Sequence, residues 1–572
     1  MSIYDKASLV LIPSGSKTSK VYSQKPTNGD GDFTFSRSTA ATRVNASGNI
    51  EKETQNLLTQ SNTLSAWSNF DVTLASGQAD KDGGTSAWKV TNDNPYGRVT
   101  RDVTASGVNT FSIYAKEGNN PYLRMQFQPV GHDAYFDLSD GSVISTEATI
   151  IDAGTEDVGS GWYRVFASVN QTIDNVRIVH TGAGGTGGGS TGDYFYLQDA
   201  QLEQGLVARD YIETTTTAIY GGITDNVPRL DYQGSCPALL LEPQRTNLVD
   251  YSEYYDLFDN NVTLTTNADT SPEGVDNASK IVVSSESQPR IERYNTWSDS
   301  TTYSMSAYVK ADTGRYIGFG LYSPEMGNQW VRFDLTNETF GYSDTNWSNA
   351  AIVDAGDNWY RISATITTDA TNTSKSGFKL ASMKSNSYNT GTIGDSFFVY
   401  GIQVEQGSYA TSYIPTYGSA VTRNVESAVK TLGVSYFPTT GISVFVDFDV
   451  THSSVTNFAD LYQLAGSSTQ LRLETRTGGR IYIQQGNMVT SGDNFNAYNL
   501  CPSTAKKICL TFSSTQVKAY VDGVLINTWN GSYTWDFTDL NIAMQASTAA
   551  YNNTMLFPST LSNQEAIDLT TL

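Results

Sequence analysis

Cysteine, histidine and positive charge are all scarce in this chain. Its 572 residues include three Cys and three His. Three thiols do not build a disulfide scaffold. Cys501 and Cys509 could pair across neighbouring strands, but Cys236 would be left over, so free and mostly buried thiols are expected. His132, His180 and His452 are scattered, and no His/Cys group has zinc spacing. Lys and Arg number 36 against 58 Asp and Glu, a net charge of −22. That excess disfavours phosphate backbones and anionic membrane surfaces, both of which want a basic stripe. Nucleic acid is therefore not an expected partner. No apolar run approaches the ~20 residues of a membrane helix, so membrane insertion is not expected either. The opening Met1-Ser-Ile-Tyr-Asp-Lys6 lacks a basic start followed by a hydrophobic segment, so no secretory signal is read and synthesis in a cytoplasm is expected.

What the chain has is tyrosine and turn chemistry. There are 34 Tyr, 23 Phe and 9 Trp, in a background of Ser, Thr, Asn and Gly that suits β-strands joined by turns. The length predicts roughly three to four domains.

The chain also says one thing twice. Gln201-Leu-Glu-Gln-Gly205 returns as Gln403-Val-Glu-Gln-Gly407, and Tyr211-Ile212 as Tyr413-Ile414. Further back, Trp162-Tyr-Arg-Val165 matches Trp359-Tyr-Arg-Ile362, Phe136-Asp-Leu138 matches Phe333-Asp-Leu335, and Asn56 with Ser61 matches Asn247 with Ser252. The offset grows only from 191 (Asn56 to Asn247) to 202 (Gln201 to Gln403), a drift that loop insertions explain. Two copies of one domain follow.

In order, residues 1–54 read as a few strands that cannot bury a core alone, so they pair with a neighbouring domain or dock on another protein. Residues 55–214 are the first copy, 215–245 a connector, 246–424 the second copy, and 425–572 a differently built domain. Alternation such as Phe111, Ile113, Ala115 against Ser112, Tyr114, Lys116 predicts half-buried strands. Asp522-Gly523 predicts a hairpin tip, and Ser562 with Glu565 predicts a capped final helix. The fold class is all-β: two jelly-roll repeats and a third sandwich. The glycines of Gly182–Ser190 lack the strand-then-helix setting and Lys-Ser/Thr ending of a phosphate loop.

Four phrases carry a resemblance: Phe35-Ser-Arg-Ser-Thr-Ala-Ala-Thr-Arg-Val-Asn45, Pro228-Arg-Leu-Asp-Tyr232, Leu239-Leu-Leu-Glu-Pro-Gln-Arg-Thr-Asn-Leu248 and Gln403–Thr416. They resemble tailed-bacteriophage virion proteins, tail-fibre or head-fibre adhesins with carbohydrate-binding-module-like jelly rolls. The C-terminal domain resembles a laminin-G or concanavalin A-like sandwich. The resemblance implies a virion location, other virion proteins as partners and attachment to host surface polysaccharide. Such fibres are commonly homotrimers; no coiled-coil heptads set that number here, and a homo-oligomer is the expectation.

For chemistry, a glycosidase needs two carboxylates about 5 to 10 Å apart in one cleft, and no close Glu/Asp pair sits in a catalytic phrase. Glu203 and Glu405 recur, but repetition between copies selects what the fold needs. Each is expected to close a strand and hydrogen-bond the turn at Gly205 or Gly407. Trp162 and Trp359 are expected in packing, with the neighbouring Arg a partner for a carboxylate. Binding residues are expected where the copies differ, on loops rich in aromatics and amides, which stack on and hydrogen-bond sugars. The candidates are Trp330 and Trp347, then Tyr498, Trp529, Tyr533 and Trp535. Calcium stays open, without an Asp-rich EF-hand loop. A non-enzymatic fibre or decoration protein that binds host glycans is the expectation. A purely structural capsid or tail component with sandwich spacers is the alternative, and a polysaccharide depolymerase a third.

Overall fold

A computed structural model describes residues 2–129, 132–232, 236–255, 259–295, 297–323, 326–370, 376–384, 390–450, 459–476, 480–493, 495, 498–502, 504, 506–543 and 548–571. The architecture is all-β and multidomain. Each copy is a sandwich of two six-stranded antiparallel sheets. In the first copy one sheet centres on Val108–Glu117, flanked by Trp162–Asn170 and Tyr194–Gln204. The facing sheet runs Ser142–Thr146, His132–Asp137, Tyr122–Gln128, Ile173–His180, Arg98–Ala105, Ser68–Phe70. Phe111, Ile113, Leu123, Met125, Phe127 and Val165 fill the space between them with no exposed surface. The second copy repeats the plan around Thr302–Ala311 and Tyr316–Ser323.

The repeated phrases build one polar clasp in each copy. Asn56 Nδ2 donates to the carbonyls of Ala200 (2.9 Å) and Ile212 (2.8 Å), and its Oδ1 accepts from the Leu58 and Leu202 N–H groups. Asn247 does the same with Ile402, Ile414, Val249 and Val404. Ser61 Oγ lies 2.6 Å from Tyr211 OH, and Ser252 Oγ lies 2.6 Å from Tyr413 OH. Glu203 and Glu405 were expected to bond the turns at Gly205 and Gly407, whose N–H groups instead donate to the Val108 and Thr302 carbonyls. The two carboxylates hold the loop beyond the expected Gly turn, accepting from the Arg209 N–H (2.9 Å) and the Thr411 N–H (2.8 Å). Trp162 and Trp359 are each 1% exposed. Arg164 and Arg361 donate to the carbonyls of Arg209 and Thr411 rather than to a carboxylate, sharing each oxygen with the Gln201 or Gln403 amide.

The third sandwich is completed by strands from far away. Its two nine-stranded sheets take in Leu9–Leu11, which pairs with Ala549–Phe557, and Phe33–Ser36, which pairs with Ser427–Thr431. Ala238–Leu241 from the connector also pairs with Ala549–Phe557. The N-terminal segment thus buries its apolar residues (Leu9, Val21, Phe33, Phe35) in the C-terminal core. Asp522 (φ 44°) and Gly523 (φ 81°) form the expected hairpin tip, with the two positive φ angles that turn requires. Ser562 and Glu565 exchange the capping bonds of helix Asn563–Thr571. Cys501 and Cys509 are buried and free, whereas Cys236 is free but exposed.

All four family-type phrases, with the Arg423–Glu426 segment after them, meet in a buried charge hub. Glu426 accepts from Arg37 (2.7 Å) and Arg229 (2.8 Å); Glu242 accepts from Arg229 (2.9 Å) and pairs with Arg423 (2.7 Å). These five side chains are 0–2% exposed. Removing a charge from such a network strands its partners in a poorly solvated interior, so the hub fixes the relative placement of the segments that supply it.

Candidate functional site

A cavity of about 530 Å³ opens where the N-terminal segment and the two copies converge. Three elements position its walls. Glu53–Asn56, paired with Ile219–Gly222, supplies Glu53 and Gln55. The first copy supplies Ser106-Gly107, Asn170–Thr172 and Gln204. The second supplies Tyr251 and the stretch from Ile414 to Val421. The copies touch at Gly107, where the Val108 N–H donates to the Tyr417 carbonyl at 2.8 Å. A Cβ at Gly107 would stand 1.7 Å from that oxygen, so the close approach requires glycine there.

A second buried charge cluster forms part of the cavity wall, which Lys52 and Tyr417 both line. Lys52 donates to Glu253 (2.8 Å) and to Tyr417 OH (2.7 Å) and pairs with Glu273 (2.9 Å). Arg209, from the repeated loop of the first copy, pairs with Glu273 at 2.7 Å. Burial alone would raise the Glu273 carboxyl, but Arg209 and Lys52 hold it below the usual carboxylate range. The copies are thereby joined by charge as well as by backbone.

The cavity wall itself is chemically open. The side chains of Gln55, Gln171 and Gln204 make no hydrogen bond to described residues. Glu53 has no cationic partner there, and burial, with Asp225 nearby, pushes its carboxyl up. Planar amides that both donate and accept, one carboxyl, the ammonium of Lys52 paired with Glu253 and Glu273, and the Tyr251 and Tyr417 rings form a polar and aromatic lining of small-ligand size. Only one of the cavity-lining residues, Glu53, is acidic. Among the described residues no group of three or more His, Cys, Asp or Glu could hold a metal ion.

None of the six aromatic candidates lines this cavity. They were expected on loops, and five of them stand in strands: Trp330 in Gly327–Asp334, Trp347 in Trp347–Asp354, Tyr498 in Tyr498–Pro502, and Trp529 and Tyr533 in Val524–Tyr533. Trp347 packs in the second core. Trp529, Tyr533 and Trp535 pack in the third, and Tyr498 stands edge-on to Trp529 at 5.1 Å. In both sandwiches these rings face inward, where large side chains fill the space between the sheets. Trp330 is different: it lies on the outer face of its sheet, over Gly320, with Lys379 Nζ 5.5 Å from its ring. It is 4% exposed.

Sequence reasoning passed over Glu53, Gln55 and Gln171, which belong to no repeated phrase. Gln204 was masked by the opposite problem. It sits in the repeated phrase beside Glu203, yet alternation turns it away from the clasp and toward the cavity.

No protein-family model matches the chain, and no curated protein does. Solved structures give remote likenesses. The N-terminal CBM22-1–CBM22-2 tandem domain of Paenibacillus barcinonensis Xyn10C is 12% identical, over 61% of this chain and 96% of that one, with a TM-score of 0.20. The botulinum neurotoxin serotype D binding domain is 12% identical over 25% of this chain and 39% of that one, with a TM-score of 0.20. The LG1-3 region of the laminin alpha2 chain is 11% identical over 81% and 97%, with a TM-score of 0.12. Likenesses this remote assign no function.

Proposed function

We propose that this chain is a non-enzymatic glycan-binding protein, and that the junction cavity takes neutral sugar. The observation that carries the reading is the set of free amides, Gln55, Gln171 and Gln204, around a space of about 530 Å³ beside Tyr251 and Tyr417. Sugar hydroxyls pair with amides two at a time, and sugar C–H faces rest on aromatic rings. A single lining carboxyl suits an acceptor for a hydroxyl; a glycosidase needs two carboxyls. With the phrase resemblance, the proposal extends to a fibre or decoration protein of a bacteriophage virion, made in the host cytoplasm, assembled as a homo-oligomer with other virion proteins and meeting host surface polysaccharide.

Binding of the purified chain to intact host cells, before and after enzymatic removal of surface polysaccharide, tests this. Binding that vanishes with the polysaccharide supports it, and binding that survives, or none in either state, overturns it. A second reading, a purely structural component, is favoured by one observation: all four family-type phrases run into the buried Arg37–Arg229–Glu242–Arg423–Glu426 hub, where they serve rigidity. That reading predicts no glycan binding at all and a less stable particle when the chain is deleted.

A further inference from the structure

The outer faces of the two equivalent sheets carry cations at two matching positions, with different partners. Register aligns them. In the first copy one row across the strands reads Phe70, Arg98, Val179, Arg124, Tyr135, and the next reads Ser68, Thr100, Arg177, Gln126, Asp133. In the second copy the corresponding rows read Asn260, Arg290, Ala381, Gly318, Arg332 and then Glu292, Lys379, Gly320, Trp330. Arg98 therefore answers Arg290, Arg177 answers Lys379, and Thr100 answers Glu292.

In the second copy Glu292 satisfies both cations. It lies 2.6 Å from Arg290 and 3.5 Å from Lys379, and all three side chains are 7–9% exposed. In the first copy a hydroxyl-bearing threonine stands in the place of that carboxylate. Arg98 stacks on Phe70 at 4.1 Å, Arg177 bonds the Asn175 and Gln126 amides, and neither has an ion pair among the described residues. The acidic groups around them are Asp102, one row further along beside Thr100, and Asp133, which lies 3.6 Å from Arg124. Burial and the neighbouring Arg98 and Arg124 lower the Arg177 pKa. Two arginines without carboxylates, in a chain of net charge −22, mark a place built for an anion.

We infer that the outer face of the first copy binds a carboxylate-bearing sugar chain, whose carboxylate takes the place that Glu292 fills in the second copy. A sugar polymer suits the face better than an acidic peptide does. The arginines lie in a strip bordered by the exposed rings of Phe70 (51%) and Tyr96 (47%); Arg98 covers one face of Phe70, and sugar rings laid across the strands would stack on the ring surface that remains. In the second copy Glu292 already fills that place between Arg290 and Lys379.

The test is calorimetric titration of the full chain with polygalacturonate oligomers, with the same oligomers methyl-esterified, and with polyglutamate. The acid form is expected to bind, the ester not, and binding to weaken with salt. T100E places a carboxylate between the arginines and is expected to weaken binding by about tenfold or more, as is R177Q, while T100Q leaves binding intact. The cavity variant Q204A leaves this binding unchanged, which separates the inference from the neutral-sugar proposal. R177Q also serves if T100E does not fold. No binding, equal binding of the ester, wild-type binding by both T100E and R177Q, or polyglutamate bound as well as the sugar acid would each overturn the inference.

Discussion

The two copies keep the same frame and spend their differences elsewhere. Asn56 and Asn247, Ser61 and Ser252, Gln201 and Gln403, and Arg164 and Arg361 make matching bonds in matching places. On the outer sheet faces the agreement stops. One copy offers Arg98 and Arg177 without a carboxylate; the other neutralises Arg290 and Lys379 with Glu292 and lays Trp330 over Gly320. The loop after the repeated Gln-Gly phrase diverges too. Arg209 reaches into the second copy, whereas its counterpart Thr411 meets Arg423 of the hub. Repetition in this chain therefore marks scaffold, and the divergent Arg209 and Thr411 mark contacts with neighbouring parts of the chain.

The sharpest way to break that comparison is to exchange the residues that distinguish the faces. E292T leaves Arg290 and Lys379 buried without their carboxylate, and a loss of about 3–5 kcal/mol is expected in denaturant unfolding. The reciprocal T100E is expected to lie within about 1 kcal/mol of the wild-type chain, since that face is better solvated and the new pair is only partly buried. Equal effects of the two exchanges would mean that the faces are not electrostatically different.

The shared frame predicts parity instead. N56A and N247A each orphan two carbonyls and two N–H groups in buried surroundings, and each is expected to cost roughly 2–3 kcal/mol. Unfolding curves in which one of these variants is silent would show that the clasp is scaffold in one copy only.

The smallest effects come from pH, and they differ in sign between the two junctions. Glu242 is buried, which by itself would raise its pKa, yet Arg423, Arg229 and Ser412 hold it below its model-compound value of 4.5. Its contribution to stability is present above that value and is lost as pH falls through the folded pKa. Glu53 is raised above 4.5 by burial and by Asp225, so its cost to the fold is relieved as pH falls. E53Q is therefore expected to be slightly stabilising near neutral pH, with the difference from wild type shrinking in mild acid, and thermal melts across pH 4 to 7 would read this out, roughly 1 kcal/mol at most.

Much of the fold was legible in the sequence. The duplication, the strand alternation of Phe111–Lys116, the Asp522-Gly523 tip and the Ser562–Glu565 cap are local signals, and local physics realises them. The pairing of Leu9–Leu11 with the strand ending at Phe557 is not local. Nothing in a short apolar run says which of several open sheet edges will take it. The aromatic candidates failed to mark the cavity for a related reason: composition shows that Trp529 or Tyr533 wants contact, but not whether core or sugar provides it. Alternation separates the two faces of Arg98–Ala105, yet only its register on Ile173–His180 puts Thr100 beside both Arg98 and Arg177. The residues around the cavity belong to seven separate stretches of the chain, so their juxtaposition left no pattern along it.

One binding measurement bears most directly on glycan recognition at the junction: a glycan array probed with the full chain and with the Q55A/Q204A double variant. Wild-type protein retained on at least one neutral glycan, with that signal lost in the double variant at unchanged melting temperature, is the predicted result. A wild-type chain that binds no neutral glycan, or a double variant that binds as well as wild type, would contradict it.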